Sequence, residues 1–314
     1  MNFTDRIKRE LLSKNLKDAH CRKAFIAGLI RGSGVLYEKD GELGLDFKVP
    51  DEETAMMLTA NFRSLFGYEI REISVSEDGV RNKDKFMLSV SGVKCVDILK
   101  ELEIIYEDDK GLEVNLDFYG DITNKECCLR AFIRGLFVSS GRCTLPNEND
   151  KSSTGYHLEI NFSHYRPALE TSHKLAEYGV FFKIVKRREG YIVYLKSAEE
   201  IKDFIAFLPA PISVLKITDL MINREITNNS NRQKNCDLGN VNKQVEASVK
   251  QIKAIEKIES VIGLESLKID LKETAIARKD NPDETLNELA ERLNVSKSCL
   301  NHRLRKIICI ANEL

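Results

Sequence analysis

The spacing of hydrophobic and polar residues repeats along the first part of this 314-residue chain. Residues 24–34 read AFIAGLIRGSG and residues 131–141 read AFIRGLFVSSG, so that seven of eleven positions are identical at an offset of 107. Each copy has a helical pattern, and two strand patterns, a helix, two further strands and a helix follow it. One long offset with two copies indicates a duplicated domain rather than a solenoid. The sequence therefore predicts two tandem αββαββα halves.

The predicted elements occupy corresponding positions in the two halves. In the first half they are strands 35–37 and 43–49 around an Asp40-Gly41 turn, helix 53–66, strands 69–76 and 84–91 around an Asp78-Gly79 turn, and helix 93–102. In the second half they are strand 141–145, loop 146–154, strand 155–162, helix 166–178, strands 181–187 and 191–196 around a Glu189-Gly190 turn, and helix 198–207. This order predicts an α+β body with a pseudo-twofold axis.

Two glycines lie inside the repeated helices. Gly28 and Gly135 each cost a helix roughly 1 kcal/mol relative to alanine, and small residues recur four positions later at Gly32 and Ser139. Positions four apart share one helix face, and small side chains there let two backbones approach closely. We therefore expect the two repeated helices to pack against each other across the pseudo-twofold axis.

The composition changes beyond the repeat. Residues 226–240 are rich in Asn and poor in apolar side chains, which is typical of a polar linker. Apolar periodicity then predicts a helix over 241–261, ended by Gly263, and a second helix over 269–279. These signals divide the chain into an N-terminal helix with the first half, the second half, the linker and a small all-α domain, at residues 1–108, 109–225, 226–240 and 241–314.

The end of the chain has the local signals of a helix-turn-helix. Thr285 and Glu288 have the spacing of a capping box, which starts a short helix. Asn294 occupies the tight turn, where a positive φ is tolerated, and Ser296 caps the following helix. The apolar inner face of that second helix consists of Leu300, Leu304 and Ile307. This arrangement predicts a motif that enters the major groove of DNA.

The outer face of the second helix carries polar and basic side chains. We expect base-edge contacts from Lys297, Ser298, Asn301 and His302, and phosphate contacts from Arg303, Arg305 and Lys306. One alternative is an ordinary amphipathic helix whose basic face is only solvated. For His302 alone, a surface histidine with no role in binding is a further alternative.

Composition narrows the class of protein. Lys and Arg total 48 and Asp and Glu total 49, for a net charge of −1, which excludes a uniformly basic surface but not a local basic patch. No apolar stretch approaches the roughly 20 residues of a membrane span. The N-terminus lacks the apolar core of a signal peptide. We therefore expect a cytoplasmic protein without membrane contact.

The cysteines and histidines show no catalytic or metal pattern along the sequence. The cysteines are Cys21, Cys95, Cys127, Cys128, Cys143, Cys236, Cys299 and Cys309. No C-x-x-C pair and no Cys/His group with zinc-ligand spacing occurs among them. No Ser/His/Asp grouping and no phosphate-binding glycine loop is present either. The sequence therefore predicts neither a metal nor a cofactor.

The repeated helices carry a further motif. Ile26–Gly34 resembles a degenerate LAGLIDADG motif and Ile133–Gly141 a weaker version of it, so that residues 19–208 resemble the single-chain LAGLIDADG homing endonucleases. The resemblance implies a carboxylate before the final glycine of each motif, which holds the cations that cut DNA. Ser33 and Ser140 stand at these positions, and a neutral hydroxyl cannot anchor Mg²⁺ alone. We expect a non-catalytic protein on a nuclease scaffold, with an active nuclease as the alternative.

The same resemblance implies a saddle of eight strands that binds DNA. Its strand and turn segments carry as many acidic as basic residues, so we expect weak DNA binding there. Lys186, Arg187 and Arg188 lie in a basic cluster and are candidate secondary phosphate contacts. The alternative is a charged strand edge that resists pairing with another strand.

A double LAGLIDADG-like body followed by a helix-turn-helix is similar to the WhiA family. Residues 296–306 and 231–237 resemble that family's recognition helix and polar linker, with Cys299 where a glycine is expected. The resemblance implies a bacterial, sequence-specific transcription regulator of sporulation, cell division and chromosome segregation. Its implied location is the nucleoid, and its implied partners are double-stranded DNA and regulatory or transcription proteins.

Two matters stay open after this resemblance. The alternative function is a nucleoid-associated division factor that acts mainly through protein contacts of the body. The oligomeric state is also undecided, because the pseudo-twofold axis is satisfied within one chain whereas a single helix-turn-helix often works in pairs.

Overall fold

The computed structural model describes residues 2–70, 72–78, 83–117, 120–146, 155–188 and 190–314. The chain divides into two compact units, Met1–Ile222 and Asn223–Leu314, each with its own hydrophobic core. Gly79 of the predicted Asp78-Gly79 turn, Glu189 of the predicted Glu189-Gly190 turn and residues 147–154 of the predicted loop lie outside the described residues. No helix in the described part of the chain is long and apolar enough to cross a membrane.

The first unit combines helices with two four-stranded sheets. Its helices are α1 (Phe3–Leu12), α2 (Ala19–Ser33), α3 (Glu52–Phe66), α4 (Val93–Glu101), α5 (Glu126–Ser140), α6 (Tyr165–Ala176), α7 (Ala198–Phe207) and the beginning of α8 (Pro211–Val261). Its strands are β1 (Gly34–Lys39), β2 (Glu42–Val49), β3 (Glu72–Asp78), β4 (Lys83–Val90), β5 (Ile105–Asp108), β6 (Gly111–Val114), β7 (Gly141–Thr144), β8 (His157–Phe162), β9 (Lys183–Arg187) and β10 (Gly190–Leu195).

The two halves have the predicted αββαββα order and the same topology. Both sheets are antiparallel, with strand orders β1-β2-β4-β3 and β7-β8-β10-β9. Asp40 and Gly41 join β1 to β2 with φ values of 54° and 79°, the left-handed backbone that a tight hairpin turn requires. These elements confirm the α+β fold predicted from the repeat.

A two-stranded hairpin, β5-β6, lies between the halves and was not predicted. Its strands pair from Ile105 opposite Val114 to Asp108 opposite Gly111. Each strand has only four residues, fewer than the usual about 5–6. Because most of these residues are exposed, no alternation of apolar and polar positions marks them in the sequence.

The helices α2 and α5 form the centre of the first unit. A Cβ atom built on Gly28 would overlap the carbonyl oxygen of Phe132 and lie 2.8 Å from its carbonyl carbon. Reciprocally, a Cβ atom on Gly135 would overlap the carbonyl oxygen of Phe25 and lie 2.9 Å from the backbone nitrogen of Leu29. The two backbones therefore touch directly, and no side chain larger than hydrogen fits at either glycine.

The close contact of α2 with α5 predicts that adding a single methyl group at Gly28 destabilises the first unit. Replacing Gly28 by Ala should lower the free energy of unfolding by about 1–3 kcal/mol, because the added methyl group forces α2 away from α5. Denaturant unfolding of the full chain, followed by far-ultraviolet circular dichroism, measures the change.

Gly239→Ala is the matched control. Gly239 lies within α8, and a Cβ atom there meets nothing within 4 Å. The same exchange should therefore raise stability by about 1 kcal/mol through helix propensity. If both variants were stabilised alike, the packing argument for Gly28 would be wrong.

The second unit is all helical, as predicted. It contains the rest of α8, then α9 (Ile269–Asp280), α10 (Leu286–Arg292) and α11 (Lys297–Glu313), with a 3₁₀ turn at Leu264–Ser266. Its core includes Ile255, Ile258, Leu271, Leu289, Leu300, Leu304 and Ile307. Gly263 follows the end of α8 with φ 76°, and its N–H donates to the Ile258 carbonyl.

Residues 226–240 form part of α8 and are not an extended connector. The Asn-rich composition lowers helix propensity, but the stretch contains no proline and therefore no obligatory break. Its polar side chains can also bond within the helix, as Thr227 does by donating to the Asn223 carbonyl at 2.8 Å. The low apolar content of residues 226–240 thus correctly indicated that they are exposed, but the expectation of an extended connector was wrong because they are helical.

Candidate nucleic-acid interface

Local hydrogen bonds build the turn between α10 and α11. Thr285 and Glu288 form the predicted capping box, since the Glu288 N–H donates to Thr285 Oγ1 and the Thr285 N–H donates to Glu288 Oε2. Asn294 has φ 54°, which an Asn tolerates better than most side chains. Ser296 Oγ accepts from the Cys299 N–H at 3.2 Å and starts α11. The sequence signals of this turn are therefore present as predicted.

One face of α11 is buried and fixes its orientation in the unit. The buried side chains are Leu300, Leu304, Ile307 and Ala311, which follow the spacing of one helix face. Leu289 and the small Ala290 on α10 are buried in the same core. The opposite face of α11 is consequently held outward.

That outward face carries most of the predicted DNA-binding residues. Lys297, Ser298, His302, Arg305 and Lys306 are exposed, and Asn301 is half-buried. No acidic residue occurs from Arg292 to Asn312, so the outward face is uniformly polar or positive. Ser298 Oγ also lies 3.0 Å from Ser296 Oγ in the cap.

Arg303 is placed differently from the other basic residues of α11. Its side chain is only 19 % exposed, and its Nε lies 3.8 Å from Asp270 Oδ2 on α9. This ion pair joins α9 to α11 beside the core. Arg303 thus lies apart from the six side chains of the outward face.

Arg278 was not anticipated from the sequence and supports the segment before α10. It is 2 % exposed, and its Nη1 donates to the Glu284 carbonyl at 2.8 Å and to the Asn281 carbonyl at 3.4 Å. Burial lowers the pKa of Arg278, while the charge of Glu284 raises it. No sequence signal marks this residue, because an arginine near a helix end is usually on the surface.

Ser33 and Ser140, where the endonuclease resemblance implies carboxylates, lie at the ends of α2 and α5. The Ser33 hydroxyl donates to the Leu29 carbonyl at 3.2 Å, and the Ser140 hydroxyl donates to the Leu136 carbonyl at 3.0 Å. A Cβ atom on Gly32 would lie 3.0 Å from Ser140 Oγ, so the two helix ends are in close contact. Each hydroxyl thus bonds to its own helix at this junction.

Arg31 lies two residues before Ser33 in the same motif, and its side chain binds backbone carbonyls. It donates to the Glu103 carbonyl at 2.7 Å and to the Asn115 carbonyl at 2.8 Å. Desolvation lowers the pKa of Arg31, although nearby carboxylates, Glu103 first, raise it. The side chain therefore ties the end of α2 to the segment that joins the two halves.

The basic cluster on β9 is divided between two faces of its strand. Ile184 packs against the core, so alternation places Lys186, which pairs with Tyr191, on the helix-covered side. Arg187 lies on the open side, where its Nη1 is 4.0 Å from Glu159 Oε2. Arg188 follows with φ 53° and is exposed. Lys186 therefore lies apart from Arg187 and Arg188, which line one surface pocket together with Arg142 and Glu159.

No Cys/His group with metal-ligand spacing occurs along the sequence, but the structure brings four such side chains together from distant positions. His20 and Cys21 at the start of α2 and Cys127 and Cys128 at the start of α5 have ligand atoms that all lie within 4.8 Å of one another. Sequence spacing does not reveal this group, because its two pairs are 107 residues apart and meet only through the packing of α2 on α5.

Three family models match this chain. The WhiA N-terminal LAGLIDADG-like domain matches residues 19–105, the WhiA LAGLIDADG-like domain residues 129–227, and the WhiA C-terminal HTH domain residues 230–311. Together they cover most of the chain and separate it into the two halves and the helical unit.

Curated relatives and a solved structure match over the whole length. A probable cell division protein WhiA of Caldicellulosiruptor saccharolyticus is 32 % identical, covering 100 % of this chain and 96 % of the relative. A Bacillus cereus protein of the same name is 33 % identical, covering 100 % and 97 %. The crystal structure of full-length DUF199/WhiA from Thermatoga maritima has a TM-score of 0.59 at 23 % identity, covering 100 % and 99 %, and so shares the fold.

Proposed function

This chain belongs to the WhiA family, and we propose that it is a bacterial DNA-binding regulator of cell division. The names of the relatives matched over its whole length support the division role. As the finer function we propose sequence-specific control of transcription at the nucleoid, acting on genes for sporulation, division or chromosome segregation.

The outward face of α11 carries this proposal. The helix is anchored by its buried face, while its exposed face offers hydrogen-bond donors and positive charge, and no acidic residue occurs along it from Lys297 to Asn312. A duplex is densely negative, and the second helix of a helix-turn-helix enters its major groove. We assign base-edge contacts to Lys297, Ser298, Asn301 and His302, and phosphate contacts to Arg305 and Lys306. Arg303, paired with Asp270, is assigned to the packing of α9 and α11.

Single substitutions should separate the two kinds of contact. Arg305→Ala should weaken binding to every duplex and lower the slope of log K against log salt by about 0.9, the value for one phosphate contact. Asn301→Ala should reduce the preference for a specific site by about 1–3 kcal/mol and leave the slope unchanged. Gel-shift titrations of the full-length protein on pooled genomic duplexes, repeated over a range of salt concentrations, measure both effects.

Lys257→Ala serves as the matched control for these titrations. It removes one exposed positive charge from α8 in the same unit and should change neither the affinity nor the slope. Equal losses for Arg305→Ala and Lys257→Ala would reject the assignment to α11 in favour of general charge attraction.

A nucleoid-associated division factor that works through protein contacts is the second candidate. The open face of β1 and β2 favours it, because Lys39 and Lys48 there are balanced by Glu42 and Asp46. Such a mixed surface suits a protein partner better than a DNA backbone.

The double variant Lys297→Ala/Asn301→Ala distinguishes the two candidates in cells that lack the native protein. If sequence-specific DNA binding is the main activity, the variant should fail to restore normal division and gene expression. Full restoration of division by a variant that no longer binds DNA in gel shifts would favour the protein-contact candidate.

We also propose that the body does not cut DNA. Ser33 and Ser140 supply neutral hydroxyls that already bond to their own helices, whereas Mg²⁺ chemistry requires charged oxygen ligands. Supercoiled plasmid incubated with excess full-length protein and Mg²⁺ should therefore stay intact on a gel. Nicks that appear only when Mg²⁺ is present would refute this part of the proposal.

A further inference from the structure

Four side chains with metal-ligand chemistry meet at the beginnings of α2 and α5. His20 and Cys21 are in the first turn of α2, and Cys127 and Cys128 are in the first turn of α5. His20 Nδ1 lies 3.1 Å from Cys128 Sγ and 3.3 Å from Cys21 Sγ, and all four ligand atoms lie within 4.8 Å of one another. This group, the Cys/His cluster, lies outside every residue assigned above to DNA binding.

The internal repeat explains how the Cys/His cluster comes together. Positions 20 and 127 differ by 107, as do positions 21 and 128, which is the offset of the two LAGLIDADG-like helices. Each half thus contributes a neighbouring pair of ligands from the same place on its helix. Because Gly28 and Gly135 lock the two backbones together, the four side chains are held close by the core of the unit.

The dimensions of the Cys/His cluster fit a tetrahedral metal. Bonds of about 2.3 Å to sulfur and about 2.0–2.1 Å to imidazole nitrogen place the ligand atoms of such a site about 3.4–3.8 Å apart. The separations from His20 Nδ1 to the Sγ atoms of Cys128 and Cys21, 3.1 and 3.3 Å, lie just below this range, and no separation within the cluster exceeds 4.8 Å. His20 and Cys127 are exposed and can rotate, whereas Cys21 and Cys128 are buried and already fixed.

The surrounding charges also favour thiolate ligands with a cation. Two helix N-termini converge here, and neither N-cap residue, Asp18 nor Lys125, makes a side-chain capping bond. Three thiolates, one imidazole and a divalent ion carry one net negative charge, which the positive helix ends stabilise.

We propose that His20, Cys21, Cys127 and Cys128 bind one Zn²⁺ ion, which links the two halves of the first unit at the start of their paired helices. Soft thiolate and imidazole ligands select zinc over Mg²⁺ or Ca²⁺. Four protein ligands leave no open coordination position, so the role is structural and not catalytic.

Metal analysis of the full-length protein tests this site. Protein purified in reductant and without chelator should contain one zinc per chain by mass spectrometry of the metals. Exchange with Co²⁺ should give thiolate-to-metal charge transfer and the strong visible bands of a tetrahedral centre. Removing the metal with a strong zinc chelator should lower the thermal unfolding midpoint, and added Zn²⁺ should restore it.

Variants at the two exposed ligands identify the residues without disturbing the core. Cys127→Ser and His20→Asn should each lower zinc affinity at least about tenfold, since even indirect partners of a metal ligand are worth 10–100-fold. They should also make the unfolding midpoint insensitive to the chelator. Cys236→Ser and His173→Asn replace exposed residues of the same types elsewhere and should behave as the unmodified protein.

Three results would overturn the proposal. The first is fully reduced protein that neither contains zinc nor takes up Zn²⁺ or Co²⁺. The second is metal binding that survives in both Cys127→Ser and His20→Asn. The third is a disulfide between two of the three cluster cysteines in protein prepared without reductant, together with no metal binding after that disulfide is reduced. The Cys/His cluster would then be a redox-active thiol pair and not a metal site.

Discussion

The direct packing of α2 on α5 is the contact on which the rest of the first unit depends. At Gly28 and Gly135 the two backbones meet with no side chain between them. Each helix has 15 residues and is stiff on this scale, so fixing the crossing point also fixes both pairs of helix ends. One pair of ends brings Ser33 and Ser140 together, and the other pair assembles the Cys/His cluster.

The packing contact and the positions linked to cleavage are different residues of the LAGLIDADG-like motif. Gly28 and Gly135 make the packing contact, whereas Ser33 and Ser140 stand where the endonuclease resemblance implies carboxylates. Gly28 and Gly135 cannot change without forcing the halves apart, whereas the side chain of Arg31 takes no part in this backbone contact. Arg31 instead ties α2 to the carbonyls of Glu103 and Asn115 in the joining segment. The LAGLIDADG-like fold is therefore present with neutral hydroxyls, those of Ser33 and Ser140, at these helix ends.

The sequence predicts features whose causes are local and misses those that depend on distant contacts. The repeat predicted the order of helices and strands along both halves, and caps such as Ser296 predicted where the helices of the helix-turn-helix begin, because each signal acts within a few residues. The ion pair of Arg303 with Asp270 crosses between helices, so composition alone could not separate Arg303 from Arg305. The Cys/His cluster was hidden for the same reason, since its halves are 107 residues apart. The candidate DNA-binding residues of α11 other than Arg303 share an outward face, and their contacts with DNA stay predictions.

The two units have separate hydrophobic cores. The proposed DNA binding by the second unit can therefore be tested separately from the stability and proposed partner binding of the first. The helix-turn-helix is anchored by Leu300, Leu304 and Ile307 within its own core, without help from the sheets. Under the proposed function, substitutions on its outward face should therefore change DNA binding without loosening the first unit, and changes at the α2–α5 contact should leave α11 intact. If both units are needed in the cell, their failures should then be distinguishable, one as lost DNA binding and the other as lost stability or partner binding.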